Sequence, residues 1–261
     1  MKILLDAGHY KNYNRGKYTA YYEGNMTWKL VNYVKEHLEK NYVVTVDLTF
    51  NSLQTKENGV YFRGAKAKGY DAFYSFHSNA TDDSSVTRVV IIRNAYTTKY
   101  DAYAKELGDA IKKTMGITQN TQVWYKKTSS GNEYYGVLRG AKEVGCNERY
   151  IIEHGFHSNY DVAKWLYSDA NLKKLAEVEA EIMAKHHKLT KKQTSFKVQV
   201  LSDTLNVRKV ADWNAEPITT VKKGQWLVVV DTVTAKNGST KMYKLESGLY
   251  ITSSEKYVKK F

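Results

Sequence analysis

Two of the seven histidines follow short runs that are typical of buried strands. His9 comes after the apolar residues 3–5, and His77 comes after the aromatic-rich run 71–76. A hydrolytic zinc site commonly uses three protein ligands and leaves one position for water, and histidine is one of the usual ligands. A lone histidine is more often a structural residue with satisfied hydrogen bonds. The placement of two histidines after equivalent strands favours a shared metal site.

Glu23 is the carboxylate best placed to complete such a set. It lies just before the helical pattern of residues 25–39, from where its side chain can face back toward His9. Two histidines and one glutamate form one of the ligand sets of hydrolytic zinc sites. A glutamate in the first turn of a helix also compensates the helix dipole. Position alone therefore leaves both roles open for Glu23.

Glu153 follows the apolar run 150–152 and stands at the end of a third predicted strand. Burial of a carboxylate costs free energy unless the group is paired or used in chemistry. Glu153 is thus either half of a structural salt bridge or a general base. In the second role it takes a proton from water and passes it to the leaving amine.

Three of the five remaining histidines have simpler interpretations. His37 lies in a polar stretch of a predicted helix. His186 and His187 fall at the end of another, where positive charge complements the helix dipole. We therefore do not expect these three residues to be ligands.

Strand-like and helix-like patterns alternate along residues 1–187, which favours an α/β fold with a mostly parallel sheet flanked by helices on both faces. Helices are predicted at 25–39, 58–68, 98–114 and 169–187, and strands at 3–5, 43–48, 71–76, 88–93 and 150–152. Functional residues of such sheets gather where strands end. His9, His77 and Glu153 are each predicted to lie just past a strand.

The composition changes after residue 187. Residues 188–195 are polar, basic and aperiodic, which indicates a linker. Residues 196–261 lack a helical period and predict a small all-β domain, most simply a barrel. Its predicted strands lie at 196–201, 205–208, 218–221, 226–234, 241–245 and 249–252, with Pro217 in a turn region.

A formal net charge of +13 gives the chain a basic surface. Such a surface attracts polyanions, including nucleic acid, anionic lipid and the teichoic acids of bacterial walls. Charge alone does not choose among them, and the spread of lysine and arginine along the chain is equally consistent with an ordinary solvated surface.

The N-terminus lacks a secretory core, because Asp6 interrupts its apolar run after three residues. No apolar run reaches the roughly 18 residues of a membrane-spanning helix. We therefore expect synthesis in the cytoplasm without a signal peptide, and no membrane insertion. The single cysteine, Cys146, cannot form an internal disulfide and is expected to be a small buried residue.

Four motifs together resemble the zinc-dependent N-acetylmuramoyl-L-alanine amidases of the amidase 3 type. They are DAGH at 6–9, Glu23, YDAFYSFHSNA at 70–80 and IIEHGFHSN at 151–159. Arg63 also resembles an arginine that the family carries on a helix. The resemblance covers about residues 1–187.

This resemblance implies roles for individual residues. His9, Glu23 and His77 would hold a zinc ion, and Glu153 would be the catalytic acid/base. Two further motif residues, Asp6 and Asn79, would lie near the site as supporting or substrate-binding residues. The bond cut would be the amide between the lactyl group of N-acetylmuramic acid and L-alanine.

The C-terminal part resembles bacterial SH3-like wall-binding domains, through LNVR at 205–208, VKKG at 221–224 and GLYI at 248–251. An enzyme joined to such a module without a signal peptide resembles a bacteriophage endolysin. The resemblance implies peptidoglycan as partner, anionic wall polymers as further candidates, and no nucleic acid. The expected outcome is lysis of a host with a Gram-positive wall after the membrane is breached.

Two other functions fit part of the pattern. A zinc peptidase or deacetylase would use the same site on another peptidoglycan bond. A non-catalytic wall-binding protein would keep the fold alone, but the intact set of His9, Glu23, His77 and Glu153 argues against it. The identity of the bond cut separates the first alternative from the amidase.

Overall fold

A computed structural model describes residues 1–192, 195–236, 238 and 240–261. Contacts divide the chain into two compact units, Met1–Lys191 and Lys192–Phe261. The predicted linker at 188–195 spans this boundary, and residues 193 and 194 of it lie outside the described residues. Within the described part of the chain, no helix is both long and apolar enough to cross a membrane.

A six-stranded sheet forms the centre of the first unit. Its strands are β1 (Lys2–Ala7), β2 (Thr45–Leu48), β3 (Ala72–Asn79), β4 (Val90–Arg93), β5 (Gln122–Trp124) and β6 (Glu148–Phe156). They lie in the order β2-β1-β3-β6-β4-β5. Strands β2, β1, β3 and β6 run parallel to one another. Strand β4 pairs antiparallel with β6, and β5 pairs parallel with β4.

The sheet is therefore mixed: four of its five strand pairings are parallel, but β4 pairs antiparallel with β6, which the prediction of a mostly parallel sheet did not include. The reason lies in residues 80–89, which contain no helix. A connection between parallel strands needs a crossover of a dozen or more residues, which returns the chain to the end of the sheet where the first strand began. The short segment instead turns the chain back at the edge where β3 ends.

Helices cover both faces of the sheet, as predicted. They are α1 (Glu23–Asn41), α2 (Val60–Ala65), α3 (Asp101–Met115), α4 (Gly136–Glu143), α5 (Tyr160–Tyr167) and α6 (Asp169–His186). Leu30, Leu107 and Leu175 bring α1, α3 and α6 into one buried core. Full burial of each such side chain contributes about 1.5–3 kcal/mol. Four of these helices were predicted; α4, α5 and strand β5 were not.

The opposite face carries the pair α2 and α4. Leu138 and Ala141 of α4 pack with Leu4 and Phe73 of the sheet in a second core. The two helices approach closely at Gly64, where an added Cβ would lie 1.9 Å from the carbonyl oxygen of Val137. Glycine is required there because no side chain fits at that separation.

Strands β3 and β6 extend further than predicted, through Asn79 and Phe156. His77 and Glu153 therefore lie within strands rather than past their ends, and they are paired in register. The apolar runs that defined the predicted strands end earlier because the chain turns polar there while backbone pairing continues. Only His9 follows its strand, two residues after β1 ends.

The second unit contains, within its described residues, a seven-stranded antiparallel sheet in the order β13-β7-β10-β11-β12-β8-β9. The strands are β7 (Phe196–Val200), β8 (Thr204–Arg208), β9 (Pro217–Lys222), β10 (Trp226–Thr234), β11 (Lys241–Leu245), β12 (Tyr250–Thr252) and β13 (Val258–Lys260). Val198, Val229 and Ile251 are in its core. Pro217 begins β9 rather than lying in a turn, at a position where proline costs a sheet little.

Candidate metal centre

His9, Glu23 and His77 lie together at the edge of the sheet, with one ligand atom from each within 4.8 Å of the others. Glu23 Oε1 is 3.1 Å from His77 Nδ1, and Glu23 Oε2 is 3.4 Å from His9 Nε2. Ligands at 2.0–2.2 Å around a tetrahedral zinc ion are about 3.3 Å apart. The two separations thus fit a metal held between the three side chains.

Backbone geometry brings the ligands together. His9 adopts a left-handed conformation, with φ of 68°, in the turn after β1. The preceding Gly8 donates a backbone hydrogen bond of 2.9 Å to Phe76, and an added Cβ would lie 2.4 Å from His77 Cε1. Glu23 is buried at the start of α1, where its Oε1 accepts a 2.9 Å bond from the Ser78 amide.

The protonation states of the cluster suit metal binding. Burial alone raises the pKa of Glu23, but hydrogen bonds and charge from His77 and His9 outweigh it, so that this pKa lies well below its usual range. Burial lowers the pKa of His77, although Glu23 partly opposes the effect. A carboxylate and a neutral imidazole are the forms in which these groups bind metals.

Asn14 is a member of this site that the sequence did not predict. Its Nδ2 donates to Glu23 Oε2 at 2.7 Å and lies 3.4 Å from His9 Nε2. Like His9, it has a left-handed backbone, with φ of 51°. Asparagine tolerates this conformation better than most residues, which was the one available signal. Nearby, Tyr13 stacks on the ring of His9 at 4.7 Å.

Asp6 does not join the ligands but supports one of them. Its carboxylate accepts hydrogen bonds from Ser75 Oγ at 2.6 Å and from Thr49 Oγ1 at 2.8 Å, and Arg63 Nε is 3.4 Å away. Ser75 Oγ is also 3.0 Å from His77 Nε2. With a metal on Nδ1 of His77, the proton of the neutral ring would lie on Nε2, which would then donate to Ser75 Oγ. Such chains fix the orientation of a ligand ring.

Glu153 is half-buried beside the cluster, and its Oε2 is a buried oxygen without a hydrogen-bond partner among the described residues. Burial and the negative charge of Glu23 raise the pKa of Glu153 well above its ordinary value of 4.5. Buried polar atoms are nearly always paired, so an unpaired carboxyl oxygen calls for an explanation. Perturbed carboxyl groups in such positions are frequently catalytic.

The neighbouring motif residues have structural partners. Asn79 Oδ1 accepts a 2.8 Å bond from the Ala80 amide, and its carbonyl accepts one from His157, so it shapes the end of β3. His154 bridges Glu179 and the His77 carbonyl at 2.7 and 2.8 Å, which holds the histidine strand in place. His157 Nδ1 pairs with Ser78 Oγ at 2.8 Å.

Residues 3–185 match the family Amidase_3, N-acetylmuramoyl-L-alanine amidase. The chain belongs to this family. The predicted resemblance to N-acetylmuramoyl-L-alanine amidases is confirmed, and the reaction is that of a peptidoglycan amidase. The matched residues include every member of the cluster described above.

The endolysin of Bacillus phage SPP1 is 31% identical to this amidase over 274 residues, covering 98% of this chain and 97% of that protein. The fold of the first unit is similar to that of solved amidases. The catalytic domain of CwlV from Bacillus (Paenibacillus) polymyxa var. colistinus has a TM-score of 0.59 at 18% identity, with 72% of this chain and 99% of that chain covered. An amidase from Clostridium difficile 630 has a TM-score of 0.59 at 17% identity, with 72% and 96% covered.

Proposed function

We propose that this amidase cuts the bond between N-acetylmuramic acid and L-alanine with a zinc ion held by His9, Glu23 and His77, and with Glu153 as acid/base. One observation carries the proposal. Three ligand atoms lie within 4.8 Å of one another, next to Glu153, whose buried Oε2 has no hydrogen-bond partner in the described part of the chain.

The donor set suits zinc better than a hard cation, because two of its three groups are imidazoles. A zinc ion bound there would polarise the scissile carbonyl and lower the pKa of the attacking water. Asp6 and Ser75 would keep the His77 ring in its binding orientation. Asn14 would hold the carboxylate of Glu23 from the loop side.

Glu153 moves the proton in this proposal. It accepts a proton from the attacking water and donates it to the amine of L-alanine as the amide bond breaks. A general acid–base group works best when its pKa lies near the working pH. The raised pKa of Glu153 brings the carboxyl group toward that condition.

For the whole chain we propose lysis of a bacterial host with a Gram-positive wall. Similarity to a phage endolysin along nearly the full length of both chains supports this role. We further propose that the second unit is an SH3-like barrel that binds the wall. Its antiparallel sheet and its excess of 11 basic over 6 acidic residues in 196–261 support contact with an anionic polymer.

Product analysis with metal removal tests this function. Purified Gram-positive wall is digested with chelator-treated protein, with and without added zinc, and the fragments are analysed by mass spectrometry. We expect zinc-dependent release of L-alanine amino termini without new reducing sugar ends. New ends within the stem peptide would favour the peptidase, and loss of acetyl groups the deacetylase. Full activity without metal would refute the zinc mechanism.

A further inference from the structure

A second group with the same donors lies at the opposite end of the central strand β6. Glu148 is the first residue of β6, His186 is the last residue of α6, and His187 caps that helix. Glu148 Oε1 is 2.6 Å from His186 Nε2 and 4.0 Å from His187 Nε2. One ligand atom from each of the three lies within 4.8 Å of the others.

We propose that Glu148, His186 and His187 form a second zinc site, which links the end of α6 to the start of β6. Its role is structural, and it is separate from the hydrolytic centre at the other edge of the sheet.

The geometry needs only small side-chain movements to accept the ion. Donor atoms around tetrahedral zinc are about 3.3 Å apart. The two distances from Glu148, 2.6 and 4.0 Å, lie on either side of that value. Rotation of the carboxylate away from His186 and toward His187 would bring both close to it. The side chains of His186 and Glu148 are 25% and 15% exposed, so an ion can reach them from solvent.

Tyrosines hold the donors in position. Tyr103 stacks on the ring of His186, with centroids 3.6 Å apart and planes 12° from parallel. Tyr150 donates a 3.0 Å hydrogen bond to Glu148 Oε1. Supporting contacts of this kind orient the ligands of metal sites.

The nitrogen of His187 is available to a metal. It is 2.7 Å from the hydroxyl of Tyr74, which also lies 2.9 Å from the hydroxyl of Tyr103. Tyr74 can therefore lose its hydrogen bond to His187 and still bond to the hydroxyl of Tyr103.

Zinc stoichiometry tests the site in the full chain. Protein is stripped with a chelator, reloaded with excess zinc, desalted and measured by plasma mass spectrometry. We expect two ions per chain for the wild type, one for His9→Ala/His77→Ala, and none when His186→Phe is added. Phenylalanine retains the stack on Tyr103 but lacks the nitrogen donors.

Two further variants act as controls. His37→Phe removes a histidine whose Nε2 pairs with Glu181 at 3.0 Å, and it should keep both ions. Glu148→Gln weakens the proposed site without touching either ring, and it should lose one. Zinc should also raise the Tm of His9→Ala/His77→Ala and not that of the triple variant, because an ion that binds only folded protein stabilises it.

Several outcomes would overturn the proposal. These are a His9→Ala/His77→Ala variant that binds no zinc, and a His186→Phe variant that keeps two ions. A wild type with one ion that is lost in His186→Phe but kept in His9→Ala/His77→Ala would support this site and refute the proposed catalytic one.

Discussion

The two ends of the central sheet carry the same donors, two histidines and a glutamate, in contrasting surroundings. At one end Glu153 pairs in register with His77 and has a carboxyl oxygen without a hydrogen-bond partner among the residues that the structure describes. At the other end Tyr150 and His186 both bond to Glu148. Under the two proposals the same ligand set would bind a metal at either end, whereas hydrolysis would need an additional group that can exchange a proton.

Support for the ligand ring differs as well. His77 is held by a chain that ends in the buried carboxylate of Asp6, while His187 bonds to Tyr74 and His186 stacks on Tyr103. A carboxylate at the end of such a chain raises the basicity of the ligand. Ring stacking mainly fixes position.

Loss of a ligand in the first cluster should have the largest effect. His77→Ala removes one of three donors, so its zinc content should fall by one ion and wall hydrolysis should become undetectable. Metal analysis and a turbidity assay on purified wall measure the two together. His186→Phe should also lose one ion but lyse wall at the wild-type rate per folded molecule. Equal loss of activity in both variants would mean that the clusters do not differ in function.

Replacement of the proton-transferring group should separate metal binding from chemistry. Glu153→Gln should reduce the rate of amide hydrolysis by about 10²–10⁴-fold, the usual contribution of general acid–base catalysis. Its zinc content should equal that of the wild type, because Glu153 is not a ligand. The measurement is the release of L-alanine amino termini together with metal analysis. Wild-type turnover by this variant would disprove the role.

Interruption of the hydrogen-bond chain that runs from Asp6 through Ser75 to His77 should weaken zinc binding moderately. Ser75→Ala removes the hydroxyl between Asp6 and His77 Nε2, and supporting groups of this kind change metal affinity by about 10–100-fold. Competition with a chromophoric chelator, in the His186→Phe background, reports on the first cluster alone. Thr49→Val is the matched control, because it removes a bond to Asp6 that does not lead to His77. Equal zinc affinities of Ser75→Ala and Thr49→Val would argue against a role for this hydrogen-bond chain in zinc binding.

The smallest effect should appear in the stability of metal-free protein. Because the pKa of Glu153 is raised above 4.5, folded protein retains a proton that the unfolded chain releases. Stability therefore falls as the pH rises above 4.5. Glu153→Gln removes this loss of stability, so its Tm should lie a few degrees above that of the wild type at pH 7. The difference in Tm between the two proteins should shrink toward pH 4.5. Calorimetry at both pH values tests this, and an unchanged difference would contradict it.

Regular sequence patterns predicted that three residues of the first site lie near one another, whereas the ligand role of Glu23 was an expectation from the family resemblance. His9, His77 and Glu153 each come after an apolar run, and a parallel sheet brings such positions to one edge. Asn14 and the chain from Asp6 through Ser75 were not predictable in the same way. They depend on left-handed backbone at two loop residues and on side-chain rotamers, which leave no periodic signal.

The second cluster was missed for a different reason. His186 and His187 were interpreted as charge at a helix end, but burial lowers the pKa of His187 and leaves it neutral. Their partner Glu148 is 38 residues earlier in the chain. Only the docking of α6 against the sheet brings them together. The reversal of β4 escaped prediction similarly, because it depends on a missing helix rather than on the strand's own residues.

That reversal leaves residues 80–89 at the edge where His9 and His77 lie. Residues 80–85 are exposed, whereas Val86 and Val89 are buried, and the Asn159 side chain bonds to the Ser84 carbonyl at 2.8 Å. A surface segment with few packed side chains tolerates insertion and exchange well. Grafting of longer loops at the exposed residues 80–85 would therefore change the surface beside the proposed zinc site while the strands that carry His77 and Glu153 stay intact, which makes this segment a starting point for redirecting the enzyme to other cell walls.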